Sequence, residues 1–190
     1  MNEDLLFPIS ETYAPEDTRT EGRAAPRVQI PLRNQVEMIV AALDEVLVLL
    51  QGRTMLYVDA KEIAAEALAD KLKQYNLVDK AVVYQSPDYL CKLRTLNPAI
   101  RGLCPLSDPG QDNGLVESVH PYGFDAAWDI LSADLIRRCH ELGVKVFSDA
   151  MGDHERIEDY TRAIRWGIDV IQTDHPMRVI RAIEMYKTQP

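Results

Sequence analysis

From about Thr54 onward the chain alternates between two hydrophobic patterns. Short apolar runs, read as strands, occur around Tyr57 and at Ala81–Tyr84, Ala99–Cys104, Phe124–Trp128, Val144–Phe147 and Ile168–Gln172. Between them lie longer stretches with apolar residues at helical spacing. Over Glu62–Asn76 these are Ile63, Ala67, Leu68 and Leu72, with charged residues between them. Ser86 followed by Pro87 is a good helix start, with serine as N-cap and proline in the first turn, and that helix runs to about Leu96. Ser132 opens another helix that stops at Gly143, Glu155–Trp166 is amphipathic and ends at Gly167, and Pro176 opens a last helix to about Tyr186. Asp108–Gly114 reads as a turn-rich loop. Earlier in the chain, Gln35–Gln51 predicts a helix that is apolar nearly all round, needs cover on most sides and stops at Gly52.

About six strand-then-helix units therefore follow one another, and such alternation means parallel strands joined by right-handed crossovers. No Gly-x-Gly-x-x-Gly loop follows any strand, which argues against a dinucleotide fold. Strands that end near polar residues (Asp59, Gln85, Asp149, Asp174) suit a barrel whose chemistry sits at one rim. The expected architecture is an incomplete TIM-barrel-type α/β fold over residues 35–190. Residues 1–34, with Pro8, Pro15, Pro26 and Pro31, read as an irregular N-terminal segment.

Charge narrows the partners. A net charge of -9 argues against nucleic-acid and anionic-membrane surfaces, which want clustered Lys and Arg, but leaves room for a small anionic substrate held by a local cation. Cys91, Cys104 and Cys139 are odd in number and widely spaced, so they read as reduced thiols in a core. No signal peptide is visible, and the apolar run Val36–Leu50 carries Glu37, Asp44 and Glu45 and is too short to span a bilayer. A cytoplasmic location is expected.

The candidate chemistry begins at Val58-Asp-Ala-Lys61, where an apolar strand ends in an acid and a base two residues apart, on the same side. A surface salt bridge would look the same. Further along, Gly167-Ile-Asp-Val-Ile-Gln-Thr-Asp-His-Pro176 resembles the closing strand of the glycerophosphodiester phosphodiesterase family, whose pattern is Gly-x-Asp-x-Ile-x-Thr-Asp-x-Pro. His140–Phe147 is similar to the family's seventh unit, Leu43–Leu47 to the helix before its third strand, and Val58–Lys61 to the Glu-x-Lys that ends that strand. The resemblance runs from about residue 36 to 188.

It implies a metal-dependent hydrolase that splits glycerophosphodiesters into glycerol 3-phosphate and an alcohol. Asp59 stands at the position of a metal-binding carboxylate, for calcium or magnesium, and Lys61 at that of a phosphate-contacting lysine. Gln85, Trp128, Asp149, His154 and His175 are possible substrate contacts at the rim. Three departures stand out. The family's His-Arg-Gly, Glu-x-Asp and His-Asp do not occur in residues 1–35, so no catalytic histidine is identifiable and activity is expected to be impaired. Asp149 replaces a rim aromatic, and Ala41-Ala42 replaces Pro-Thr. His120 reads as a loop residue, His140 as structural, and Asp174 as a cap of the last helix or a hold on the loop after the final strand.

Six strands leave two edges open, so either residues 1–34 patch the gap, or the chain associates with itself, or it is a shortened family member. Two other readings stay open. One is a non-catalytic phosphate-binding or interaction module completed by another chain. The other is an unrelated βα enzyme using Lys61 as a Schiff-base amine, which needs a depressed lysine pKa.

Overall fold

A computed structural model describes residues 43–188 of the chain. It divides into two compact units, one ending at Thr54 and the other beginning at Met55. The expected irregular segment 1–34 and the start of the helix at Gln35 lie outside the described residues. In the first unit residues 43–50 are helical, and Gly52 follows with φ +72°. Among the described residues of this helix Leu47 is buried, and Val46, Val48 and Leu49 are exposed.

The second unit holds six strands: β1 (Leu56–Asp59), β2 (Ala81–Tyr84), β3 (Arg101–Leu106), β4 (Gly123–Ala126), β5 (Lys145–Asp149) and β6 (Val170–Gln172). Helices follow each in turn: α1 (Ala65–Gln74), α2 (Pro87–Leu96), α3 (Asp112–Val119), α4 (Ala133–Glu141), α5 (Ile157–Trp166) and α6 (Pro176–Lys187). A 3₁₀ turn, Trp128–Ile130, precedes α4. The strands form one sheet in chain order, every neighbouring pair parallel. This is the expected incomplete TIM-barrel-like fold, a curled half-barrel. The curl is visible in the cavity where Tyr57 of β1 meets Val170 and Gln172 of β6, the two outermost strands.

Local signals placed most boundaries. Ser132 caps α4 by accepting a hydrogen bond from the Leu135 N–H at 3.1 Å. Gly167 ends α5 with φ +94°, a conformation that side chains disfavour. The main departure is α3, whose first residues, Asp112–Gly114, fall within the expected turn-rich loop. Its helix is secured by tertiary contacts: buried Asp112 accepts from Arg138 Nε of α4 at 3.1 Å, and Leu115, Val116 and Val119 pack on the core. β3 begins later than expected and continues through Pro105, while β4 stops at Ala126, short of Trp128. Cys91 lies on the surface, which corrects the reading of all three cysteines as core thiols; Cys104 and Cys139 are buried.

Alternation along the strands separates two apolar layers. Cys104, Leu106, Phe124, Ala126 and Val146 face the helices and pack with Leu135, Ile136 and Cys139 of α4. Val82, Leu103 and Phe147 form a smaller cluster inside the curl with Tyr84, Tyr122 and Val170. Gly123 lies where this inner layer is tightest. A Cβ there would stand 3.0 Å from Leu103 Cδ1 and 3.1 Å from the Lys145 carbonyl oxygen.

Candidate active site

β1 delivers Asp59 and Lys61 to the C-terminal mouth of the sheet, where Lys61 Nζ lies 2.7 Å from Asp59 Oδ2. Both side chains are open to solvent, the lysine at 75% and the aspartate at 44% exposure. The hydrogen bond to Asp59, and then its charge, raise the Lys61 pKa. A Schiff-base lysine needs the opposite shift, so this geometry speaks against the amine-nucleophile reading.

Two residues before Asp59, and on the same face, Tyr57 reaches across the curl. Its hydroxyl donates a long hydrogen bond, 3.4 Å, to Asp125 Oδ2 of β4. The Tyr57 ring stacks on Tyr84 with centroids 6.2 Å apart and 21° between planes. Asp125 sits among apolar atoms, and burial pushes its carboxyl up to about 6, with the charges of Asp149 and Asp59 adding to the effect and the Tyr57 hydroxyl opposing it. Burial, and then the Asp125 charge, raise Tyr57 and Tyr84 in turn. Tyr57, Asp125, Phe147, Ser148, Val170 and Gln172 line a cavity of about 230 Å³. A neighbouring recess of about 200 Å³ runs from Tyr84 past Asp125 to Asp149.

Tyr57, Tyr84 and Asp125 are the residues that sequence reasoning missed. The signal was present: Asp125 is an acid at an alternate position of an otherwise apolar strand. Finding its partner required knowing that the sheet curls enough to bring β1 opposite β4.

The residues proposed from sequence are spread over the mouth and are mostly engaged. Gln85 Nε2 donates to the Ala60 carbonyl at 2.6 Å and straps the end of β2 to that of β1. Asp149 Oδ1 accepts the Met151 N–H at 2.8 Å and holds the turn after β5. Trp128 stacks on His154, centroids 5.7 Å apart, and His154 Nε2 lies 3.3 Å from Asp129 Oδ1. His175 occupies the N-cap position of α6, placed there in Asp174's stead, with Nε2 3.2 Å from Glu155 Oε2. Glu155 also accepts the Thr173 hydroxyl at 2.9 Å and the Asp174 N–H at 2.7 Å. Burial raises the Glu155 pKa, but these hydrogen bonds and the nearby His175 and Arg178 outweigh it, and the net shift is downward. His140 binds Asp169 at 2.8 Å before β6, and His120 caps α3, so both belong to the other end of the strands.

As a cation site the mouth is incomplete. Calcium takes about six to eight oxygen ligands, and magnesium wants near-ideal octahedral geometry. Asp59 offers one carboxylate already paired with Lys61, and among the described residues no three acidic, histidine or cysteine side chains converge to hold an ion. The described residues do not by themselves make a cage for a divalent ion.

No family model and no curated protein matches the chain. Solved structures do. A glycerophosphodiester phosphodiesterase from Agrobacterium tumefaciens superposes with a TM-score of 0.64 at 17% identity, over 73% of this chain and 60% of that one. An Oleispira antarctica phosphodiesterase, solved in complex with the product sn-glycerol-3-phosphate, gives 0.57 at 19% identity, over 68% of this chain and 54% of its own. The fold is the one these phosphodiesterases have. The chain spans about three-fifths of their length or less. A glycerol uptake operon antiterminator regulatory protein from Listeria monocytogenes is also similar, with a TM-score of 0.51 at 17% identity, over 70% of this chain and 75% of its own. The same architecture thus carries more than one kind of function, and activity must be argued from the site.

Proposed function

We propose that this chain forms part of a glycerophosphodiester-hydrolysing barrel and binds an anionic phosphodiester at the mouth of its sheet. The observation that carries the reading is the Asp59–Lys61 pair at the C-terminal end of β1, set in a fold shared with phosphodiesterases. The exposed Lys61 ammonium supplies a point charge for phosphoryl oxygens. Asp59 is the carboxylate nearest that charge, and a calcium or magnesium ion bound there would draw its remaining oxygens from outside the described residues. Gln85, Trp128, Asp149, His154 and His175 stand as candidate substrate contacts around the same rim.

Turnover is proposed to be impaired. Hydrolysis of a phosphodiester needs one group to take a proton from water and another to give one to the leaving alcohol. Such groups are typically worth ~10²–10⁴-fold each. His120 and His140 belong to the far end of the strands, and His154 and His175 each lie against an acid. The expected result with glycerophosphocholine is release of glycerol 3-phosphate at least ~10²-fold slower than for a complete enzyme. Ordinary turnover would overturn the impairment. Substrate binding left unchanged by Lys61→Ala would remove Lys61 from the phosphate site. In calorimetry with calcium or magnesium, equal heats from the native chain and Asp59→Ala would take Asp59 out of any metal site.

A second reading is a non-catalytic phosphate-binding module completed by another chain. It is favoured by the edge strands β1 and β6, each of which pairs on one side only among the described residues. Sedimentation velocity separates the two: a monomer that turns over substrate excludes completion by a partner, and an inactive dimer or hetero-complex supports it.

A further inference from the structure

The opposite end of the sheet has a recess of its own, which the phosphodiesterase reading does not use. The loops entering β3 and β4, together with α2 and the end of α3, enclose about 210 Å³ there. Leu90, Leu93, Ile100 and Val119 supply an apolar floor, and Tyr122 an aromatic wall. Arg94, Arg101 and His120 complete the lining, the first and last exposed and Arg101 half-buried.

The charge of this corner runs against that of the chain. Net charge is -9, and Arg137, Arg138, Arg156 and Arg162 are each paired with an aspartate or glutamate. Arg94, Arg101 and His120 make no ion pair among the described residues. Arg101 instead lies over the Tyr122 ring, with Cζ 5.1 Å from its centroid. Stacking of this kind holds the guanidinium plane and leaves its N–H edge free for a planar or tetrahedral oxyanion. The loop that carries His120 is fixed at both sides, by the His120 N–H donating to the Val116 carbonyl at 3.0 Å and the Tyr122 N–H donating to the Gly102 carbonyl at 2.9 Å.

We propose that this recess binds a small organic phosphate, with its phosphoryl group between Arg94, Arg101 and His120 and its carbon body against the Leu90–Tyr122 floor. Two permanent guanidinium charges and an imidazole match a dianionic phosphomonoester better than a monoanionic carboxylate. The volume lies below the ~300–1,000 Å³ of pockets that take drug-sized ligands, so the body must be compact. The site is independent of the mouth of the sheet, and its failure would leave the phosphodiesterase reading untouched.

The test is titration of the ¹⁵N-labelled chain with phenyl phosphate, benzoate and inorganic phosphate, followed by backbone amide shifts. Phenyl phosphate is expected to perturb the Arg101, Gly102, His120 and Tyr122 amides saturably. Affinity should fall about tenfold in Arg94→Gln and again in Arg94→Gln/Arg101→Gln, the size expected for losing a charge-assisted hydrogen bond at each step. No saturable shift at these amides, or equal affinity in the double variant, would overturn the site. Benzoate binding as tightly as phenyl phosphate would overturn the preference for phosphate, and inorganic phosphate doing so would overturn the role of the apolar floor. Arg94 is exposed, so the single variant reads binding without disturbing the core.

Discussion

Phe124 and Asp125 are adjacent in β4 and belong to two different environments. Phe124 faces the helices, is fully buried and packs into the large outer core with Leu106, Val146 and Leu135. Asp125 faces the inside of the curl, beside Tyr57 and a cavity with Phe147 and Val170 in its wall. The outer layer is covered by the helices and is mainly apolar, and the acids buried on its helices, Asp112 and Asp159, are each paired with arginine. The inner layer, part apolar and part open at the mouth, admits a carboxylate at the cost of holding its proton more tightly. A curled parallel sheet therefore separates stability from chemistry by the parity of the residue along the strand.

Substitutions on either side of that division test it, beginning with the largest effect. Phe124→Ala should remove about 3–5 kcal/mol of stability, read by urea unfolding, because a buried aromatic leaves a cavity the sheet cannot close. A loss under ~1 kcal/mol would mean that the outer layer is not the main core.

Asp125→Asn should do the reverse. The folded carboxyl keeps its proton to about pH 6, against an ordinary value of 3.8. Between those values the folded state binds more protons than the unfolded one, so this group's contribution falls as pH rises through the window and stays unfavourable above it. Discounted for partial exposure, the penalty at pH 7.5 is on the order of 1–2 kcal/mol. Asp125→Asn should recover it and remove the corresponding pH dependence between pH 4 and 6. An unchanged stability curve would place Asp125 in open solvent.

Tyr57→Phe is subtler still. Its hydroxyl favours the Asp125 carboxylate, so its loss should move the carboxyl titration upward, as followed by ¹³C NMR of the Asp125 side chain. A downward move would reverse the assigned polarity of that bond. The smallest stability change belongs to Lys61→Met. Its pair with Asp59 is open to water, and exposed pairs add little to folding, so the unfolding midpoint should not move measurably. A clear shift would make the pair structural.

Much of the fold was legible in the residues. The alternation of short apolar runs with helical periodicity foretold six parallel units, and Ser132, Pro87, Gly143 and Gly167 marked boundaries because caps and turns act locally. The helix α3 was hidden, since its start lies in Asp108–Gly114, which has turn composition, and the buried Asp112–Arg138 contact that holds it joins distant segments. At the mouth, Asp59 and Lys61 could be paired from their spacing alone. The links from Gln85 to Ala60, from His154 to Trp128 and from His175 to Glu155 join distant segments, and no local pattern announces them.

By itself the amino-acid sequence determined the order of the strands and of every helix after them but α3, and the shared face of Asp59 and Lys61, because backbone periodicity and capping are set within a few residues. Only the tertiary structure decided that the sheet curls until β1 stands opposite β4, turning Tyr57 and Asp125 into partners. It alone also showed that His154 and His175 stand against Asp129 and Glu155. Those outcomes depend on contacts between residues far apart in the chain, formed only once the layers have packed.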